Sequence, residues 1–240
     1  MQVRGGALGV AVALLALSAC GDMGSRSGGG PTPSVSTAPT STTSPSAGET
    51  PAGESSPATE TTEGPAGDGK PRRALLDIPK LGIDDLRVVP YRGFTDDAPG
   101  TEIQNRGLAA SPHGPRGGTG PGGVGNYQVT AHRLSSTQAF RYLPDLRRGD
   151  RVHVEAGGVR YTYRITTTRI TSFRSERSLR DQRAAVPGRP GVQPTRAMIT
   201  LSTCRTSEDH AEGNFWSDEF GNPEHRIDKI GVLVNAGARQ

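Results

Sequence analysis

Residues 197–204 read AMITLSTC, a run of apolar and β-branched residues that ends in a cysteine. Such a run predicts a buried strand. The polar residues 205–210, RTSEDH, follow at once, so the strand is predicted to end at Cys204 and to leave its thiol exposed. Cys204 is one of two cysteines in the chain, the other being Cys20.

Strand patterns also dominate the sequence on either side of this run. Gly157-Gly158 predicts a hairpin turn, the Gly- and Pro-rich residues 111–125 predict a loop, and the apolar spacing of residues 140–146 predicts one short helical turn. About eight strands with few helices predict a mainly β fold, a closed or nearly closed eight-stranded barrel that leaves no exposed edge. Together with 197–203, the predicted strands are residues 74–78, 86–90, 127–132, 151–155, 159–168 and 227–234.

The chain divides by composition into a polar segment and one domain. Residues 21–69 consist almost entirely of Gly, Pro, Ser, Thr, Ala and Glu, with one Met, one Val and no Leu, Ile, Phe, Tyr or Trp. Such a segment cannot bury enough apolar surface to offset the entropy of ordering it. We therefore predict a disordered linker at residues 21–71 and a single globular domain at residues 72–240.

The first twenty residues have the pattern of an export signal. A single Arg precedes an uncharged, largely apolar run that continues to residue 21. Leu17-Ser18-Ala19-Cys20 resembles a bacterial lipobox, in which the cysteine receives a diacylglyceryl group and becomes the new N-terminus. The alternative is an uncleaved signal anchor in which Cys20 has no role. Both interpretations place the domain outside the cytoplasmic membrane, held at its outer face.

Charge and cysteine content narrow the classes of function. The formal net charge is +4, but the arginines are scattered and no aromatic residues alternate with them, so no nucleic-acid partner is predicted. No Cys/His or acidic cluster has ligand spacing, so neither a metal nor a cofactor is predicted, and Asp84-Asp85 and Asp96-Asp97 are interpreted as solvated turns. With Cys20 lipidated or removed, Cys204 is an unpaired thiol in an exported domain, which favours a reactive role.

Three features together resemble the sortase family of cysteine transpeptidases. Residues 200–204, TLSTC, fit its Thr-Leu-x-Thr-Cys signature at a strand end. Ala131-His132-Arg133 fits the segment of its catalytic histidine, and residues 140–150 fit the short helix and turn that follow it. The match covers roughly residues 75–234 and is most similar to the class E sortases of high-GC Gram-positive bacteria.

The resemblance implies a site and a reaction. Cys204 would attack the Thr–Gly bond of a C-terminal sorting signal of the Leu-Pro-x-Thr-Gly or Leu-Ala-x-Thr-Gly type and form a thioester. His132 would act as the general acid and base. Arg226, which opens the last predicted strand, would stabilise the oxyanion. The partners implied are a sorting-signal peptide and an amine acceptor such as a peptidoglycan precursor or a pilin.

Several alternatives stay open at this stage. The same thiol and base suit a cysteine peptidase that transfers the acyl group to water, and an inactive lipoprotein binding module keeps the barrel without the reaction. Arg205 is the rival of Arg226, although its side chain should point away from that of Cys204. Residues 171–194 are expected to line the peptide groove. Residues 205–225, which hold the only Trp, either cover the acceptor side or are a structural elaboration.

Overall fold

The computed structural model describes residues 67–238, which form eight strands, three α-helices and two 3₁₀ turns. The 3₁₀ turns are Pro79–Leu81 and Leu143–Asp145. The strands and helices, in chain order, are β1 (Ala74–Ile78), β2 (Ile83–Arg92), α1 (Ala98–Asn105), β3 (Ala109–His113), β4 (Gly125–Thr130), β5 (Arg151–Ala156), β6 (Val159–Ser172), α2 (Glu176–Arg183), β7 (Ala197–Cys204), α3 (Thr206–Ala211) and β8 (His225–Ala238).

The strands close into one barrel in the order β1-β2-β3-β4-β7-β8-β6-β5. Two neighbouring pairs are parallel, β2 with β3 and β4 with β7. Helix α1 lies in the connection between β2 and β3, whereas α2 lies in the connection between β6 and β7. The predicted closed eight-stranded barrel is therefore confirmed, and closure pairs every strand on both sides.

Alternation of side chains along the strands fills the barrel interior. Every other residue of β7 and β4 points inward, as Ile199, Leu201, Tyr127 and Val129 do, and all four are at most 1% exposed. The 3₁₀ turn after β4 closes one end with Leu143. The other fully buried core side chains include Leu76, Ile78, Phe140, Leu146, Val152, Val154 and Tyr163.

Two local predictions need correction. Residues 111–125 were predicted as a loop, but Ser111, Pro112 and His113 belong to β3, where they pair in parallel with β2. Pro lacks a donor and is normally confined to strand edges, yet here the neighbouring strand fixes the extended conformation. The predicted strand ending at His132 instead ends at Thr130. The hairpin is confirmed, and Gly157 and Gly158 both have positive φ, as its tight turn requires.

Strands β4 and β7 are buried on both faces, because α2 covers the outer face of the barrel at this point. The Asn126 side chain donates to the backbone oxygen of Gln182 in α2 at 3.1 Å. The side-chain amide of Gln182 donates to Asp228 at 3.0 Å. The outer face is therefore polar, yet it is closed to solvent. It carries Asn126, Gln128 and Thr130 on β4, Thr200 and Ser202 on β7, and Arg226 and Asp228 on β8, all at most 2% exposed.

Several predictions about the N-terminal part fall outside the described residues. These are the signal segment at residues 1–20, with Cys20, and residues 21–66 of the predicted linker. Residues 67–71, which the sequence assigned to the linker, contact the domain, since Gly69 accepts a hydrogen bond from the Gly120 amide at 2.8 Å. Within residues 67–238, no helix is both long enough and apolar enough to span a membrane.

Candidate active site

The pairing of β4, β7 and β8 brings the three predicted site residues to one edge of the barrel. Thr130 pairs with Ser202 in the parallel register, so His132 and Cys204 each lie two residues beyond a matched pair. Thr203 donates to the backbone oxygen of Ala131 at 2.8 Å and continues this alignment past the end of β4. On the other side of β7, Cys204 lies directly opposite Arg226. Residues far apart in the chain thus converge by register alone.

The Cys204 thiol is half-buried and surrounded by charges of both signs. Burial raises the pKa of Cys204 above its usual value. The Arg226 and Arg133 guanidinium groups lower that pKa, whereas the Asp96 and Asp218 carboxylates raise it. The thiol is therefore neutral near pH 7, and a thiolate forms only as a minor species that Arg226 stabilises.

His132 is held from one side by the end of α1. Its Nε2 lies 2.8 Å from Oδ1 of Asn105, the last residue of that helix. An amide oxygen only accepts, so Nε2 donates and Nδ1 is the ring nitrogen left to exchange a proton. Burial lowers the pKa of His132, the Asp96 carboxylate raises it, and Arg226 lowers it. The imidazole is accordingly neutral at pH 7.

Arg226 is completely buried, with 0% of its surface exposed. Its Nε donates to Asp96 Oδ2 at 2.9 Å, and its Nη1 donates to the backbone oxygen of Pro223 at 2.8 Å. The ring of Phe173 lies 4.1 Å from the guanidinium carbon and covers one side of the group. Nη2 is buried and has no hydrogen-bond partner among the described residues. Arg226, which lies opposite Cys204 in register, thus keeps one donor without a partner.

Arg205, Arg133 and Lys229 are the other cations considered for the oxyanion role, and each has polar partners of its own. Arg205 Nη1 donates to Asp209 at 2.7 Å and to Glu212 at 2.8 Å. Its guanidinium is therefore paired with carboxylates of α3 and of the residue that follows this helix. Arg133 forms an ion pair with both oxygens of Glu208, one of them at 2.9 Å from Nη2, and its Nη1 also donates to the Cys204 backbone oxygen at 3.4 Å, while its Nε has no partner among the described residues. Lys229 points to the opposite face of β8, where its Nζ donates to the backbone oxygen of Leu146 at 2.8 Å. The register therefore favours Arg226 over the other three.

The sequence interpretation missed two residues that contact the site, Asp96 and Asn105. Asp96-Asp97 was interpreted as a solvated turn, and this is wrong, because Asp96 is 8% exposed and pairs with Arg226. Asp97 caps α1 by accepting from the Gly100 amide at 3.0 Å. The Asp-x-Pro pattern at residues 97–99 is a helix-start signal that predicts α1. It does not predict the partners of Asp96 or Asn105.

One group of carboxylates elsewhere has the spacing of a cation site. Ligand oxygens of Asp77, Asp84 and Asp85 lie within 4.8 Å of one another. They belong to β1 and β2, which are four and three strands away from β7 around the barrel. Asp77 already accepts from the Asp85 amide at 2.8 Å and pairs with Arg160 at 3.7 Å. Asp84 and Asp85 are exposed as predicted, but the predicted turn is wrong because both belong to β2, and no step of the proposed chemistry involves this cluster.

A thiol, an imidazole and a guanidinium at one edge of a closed barrel define a candidate cysteine-nucleophile site. The family model described as the Sortase domain matches residues 76–215, more than half of the chain. The chain belongs to the sortase family, a family of generally extracytoplasmic cysteine transpeptidases.

The proteins to which this chain is similar include sortases of class E. Sortase SrtE1 of Streptomyces coelicolor is 28% identical over 133 residues, which is 55% of this chain and 35% of that relative. The crystal structure of sortase E1 from the same organism, with a tripeptide in its active site, is 26% identical with a TM-score of 0.50, over 71% of this chain and 92% of that one. SrtA sortase from Actinomyces oris shares the fold, at 22% identity and a TM-score of 0.55, over 75% and 90% of the two chains.

The charges around the thiol predict a pH profile. Alkylation of Cys204 by iodoacetamide, followed by mass spectrometry, should be slow at pH 7 and should rise at a pH above that of a free cysteine. Arg226→Ala should move the rise to still higher pH, because it removes the main cation that lowers the thiol pKa. Arg205→Gln is the matched control and should leave the profile unchanged. An unchanged profile for Arg226→Ala, or a shift for Arg205→Gln, would contradict this assignment of the charges.

Proposed function

We propose that this chain is a sortase that cleaves a C-terminal sorting signal between Thr and Gly and passes the acyl group to an amine. The observation that supports this most strongly is the cross-strand pair of Cys204 and Arg226, with His132 at the adjoining strand end. The resemblance of the TLSTC motif to the family signature supports the same assignment. The acceptor is an amine of a cell-wall precursor or of a pilin.

In the first half of the reaction, the Cys204 sulfur attacks the carbonyl carbon of the substrate threonine. The oxygen becomes negatively charged, and the unpartnered Nη2 of Arg226 is the donor proposed to stabilise it. The C–N bond then breaks, His132 gives a proton to the departing glycine amine, and a thioester remains on Cys204. Because thiol and imidazole are both mostly neutral at rest, only the minor thiolate–imidazolium form starts the reaction.

In the second half, an incoming amine attacks the thioester carbon and loses a proton to His132. The C–S bond breaks and the sulfur leaves as the thiolate, so the enzyme returns to its starting state. Water can take the place of the amine, which is the reaction of the cysteine-peptidase alternative. The inactive binding module, the second alternative, would keep the fold and lose both steps.

Two connections form the proposed walls of the substrate groove. Residues 171–194 contain α2, whose Gln182 and Arg183 side chains bind Thr95 beside Asp96, so this connection borders the site and suits the sorting peptide. Residues 205–225 contribute Asp218, whose charge raises the pKa of Cys204. They also expose Phe215 and Phe220, at 71% and 45%. We assign this second connection to the acceptor side.

The reaction is proposed to occur at the outer face of the cell membrane. The lipobox-like residues 17–20 support attachment through a lipid on Cys20, after which residues 21–71 would connect the anchor to the catalytic domain at 72–240. A stable lipid anchor needs two or more chains, which a diacylglyceryl group supplies. The alternative is retention by an uncleaved signal anchor.

Product analysis tests the proposed reaction. Soluble residues 67–240 are incubated with Leu-Pro-x-Thr-Gly and Leu-Ala-x-Thr-Gly peptides, with and without an added amine, and the products are identified by mass. We expect cleavage between Thr and Gly and an amide product that requires the amine. Cys204→Ala should abolish cleavage, His132→Ala should lower kcat by ~10²–10⁴-fold, and Arg226→Ala should lower it by ~10²–10³-fold.

The outcomes separate the alternatives. Acid products alone, unchanged by any amine, would support the cysteine peptidase. Peptide binding without cleavage by the wild-type protein would support the binding module. Normal turnover of Arg226→Ala together with an inactive Arg205→Ala would transfer the oxyanion role to Arg205. Arg226→Lys should stay well below wild type, since an ammonium lacks the fixed fork of donors.

Fractionation of cells that express the full chain tests the anchor. Cys20→Ser should release or mislocalise the protein if Cys20 carries the lipid, and mass spectrometry of the wild-type N-terminus should show the modified cysteine. Ser18→Thr is the control, because it keeps a small residue in the lipobox. Full membrane retention of Cys20→Ser, with residues 1–19 still attached, would show the signal anchor instead.

A further inference from the structure

Asp96 is the one carboxylate that pairs directly with Arg226 among the described residues. We propose that Asp96 is a positioning residue of the active site: it fixes the Arg226 guanidinium so that Nη2 stays available to the substrate, and its charge balances that of Arg226 at His132 and Cys204. The inference rests on the proposed function for the role of Arg226 in the reaction. That Asp96 orients the Arg226 guanidinium is argued from the contacts of Asp96 and does not depend on the reaction.

The donors of Arg226 show how the orientation is fixed. Nε donates to Asp96, and Nη1 donates to the backbone oxygens of Pro223, at 2.8 Å, and His225, at 3.3 Å. Nε and Nη1 are both occupied in this way, and the guanidinium is planar, so its orientation is fixed and Nη2 is the nitrogen left without a partner among the described residues. The Phe173 ring against one side of the guanidinium limits its tilt. Without Asp96, only backbone carbonyls near the start of β8 would hold the group.

The backbone that carries Asp96 is shaped for this contact. Asp96 has φ +59, a left-handed conformation that is uncommon for residues other than glycine and occurs mainly at turns and functional sites. The segment is anchored on both sides. Asp97 accepts from the Phe94 amide at 3.0 Å, and Thr95 donates to the Gln182 side chain at 2.8 Å. The strained residue between these anchors directs its carboxylate at a guanidinium 130 positions away.

The same loop is tied to β8 by a second route. The Gln182 amide that accepts from Thr95 also donates to Asp228 at 3.0 Å. Asp228 accepts in turn from Thr171 at 2.6 Å and lies two residues from Arg226 on the same face of β8. Burial raises the pKa of Asp228, while its hydrogen bonds lower it. The loop and the strand are thus linked both through Asp96–Arg226 and through α2, so the position of Asp96 does not depend on one contact.

The charge of Asp96 reaches both reacting groups. Asp96 and Arg226 are the charged groups that act on His132, and they act on its pKa in opposite directions. The pKa of Cys204 is affected by the charges of four residues, namely Arg226, Asp96, Asp218 and Arg133. Asp96 raises the pKa of both His132 and Cys204, so neutralising it lowers both values. The pH dependence of reactions that use His132 and Cys204 should therefore shift to lower pH, because both pKa values fall together.

Two variants separate the roles. Asp96→Asn keeps an oxygen that can accept from Nε and removes the charge, whereas Asp96→Ala removes both. Asp97→Asn is the matched control: it removes a neighbouring charge in the same loop, and Asn caps helices as well as Asp does. Asp97 is not among the charges that act on Cys204 or His132. Thermal unfolding of each variant confirms that it is folded before the other measurements.

Iodoacetamide alkylation of Cys204 against pH is the first measurement, and it needs no sorting peptide. We expect the profile of Asp96→Asn to move to lower pH and that of Asp97→Asn to match wild type. A wild-type profile for Asp96→Asn would overturn the charge role. Because this readout does not use a sorting peptide, it tests the inference even if the proposed function fails.

Peptide cleavage by single and double variants is the second measurement. Asp96→Ala should lower kcat by about 10²-fold, the scale of a misplacement of about 1 Å. Asp96→Asn should retain more of kcat at its own optimal pH. With each variant measured at its own optimal pH, adding Asp96→Ala to Arg226→Ala should cost little more than Arg226→Ala alone, since the positioning role of Asp96 acts through Arg226. Losses that multiply in the double variant would show that Asp96 acts independently and would overturn the positioning role.

Discussion

The arrangement of the site depends on the pairing of β7 with parallel β4 on one side and antiparallel β8 on the other. This register places Cys204 opposite Arg226 and beside the strand end that carries His132. A shift of one residue in either pair would turn one of these side chains to the other face. The barrel prevents such a shift, because the inward side chains of β4 and β7 are fully buried and fit only one alternation.

The outer face of these three strands is polar and buried, which costs free energy unless each group finds a partner. α2 and the loop before α1 supply the partners. Gln182 forms hydrogen bonds with Asn126 and Asp228, and Asp96 accepts one from Arg226. Nη2 of Arg226 has no partner among the described residues, and neither do Gln128 Oε1 on the same face and Nε of Arg133. Of these atoms, Nη2 belongs to the cation that lies opposite Cys204 in register, which agrees with the donor proposed for the reacting oxygen.

The sequence predicts the barrel, and its resemblance to sortases points to Cys204, His132 and Arg226. Prediction fails where a residue is buried by contacts that are distant in the chain. Strands with alternating or β-branched residues, such as 151–155, are recognisable because the pattern reflects the pleat itself. β3 is not, since Ser111-Pro112-His113 is held extended by β2 and not by its own composition. Asp96 follows the pattern of a turn, and only the folded chain brings Arg226 to it. The signal at residues 1–20 stays a prediction.

Capture of the covalent intermediate tests the central claim most directly. The protein is mixed with a sorting peptide, quenched in acid within the first turnover, and measured by intact mass and by peptide mapping. The account predicts a mass increase equal to the acyl part of the peptide ending in threonine, located on Cys204 and released by hydroxylamine, as a thioester is. Cleavage of the peptide with no adduct on Cys204, or with the acyl group on another residue, would contradict it.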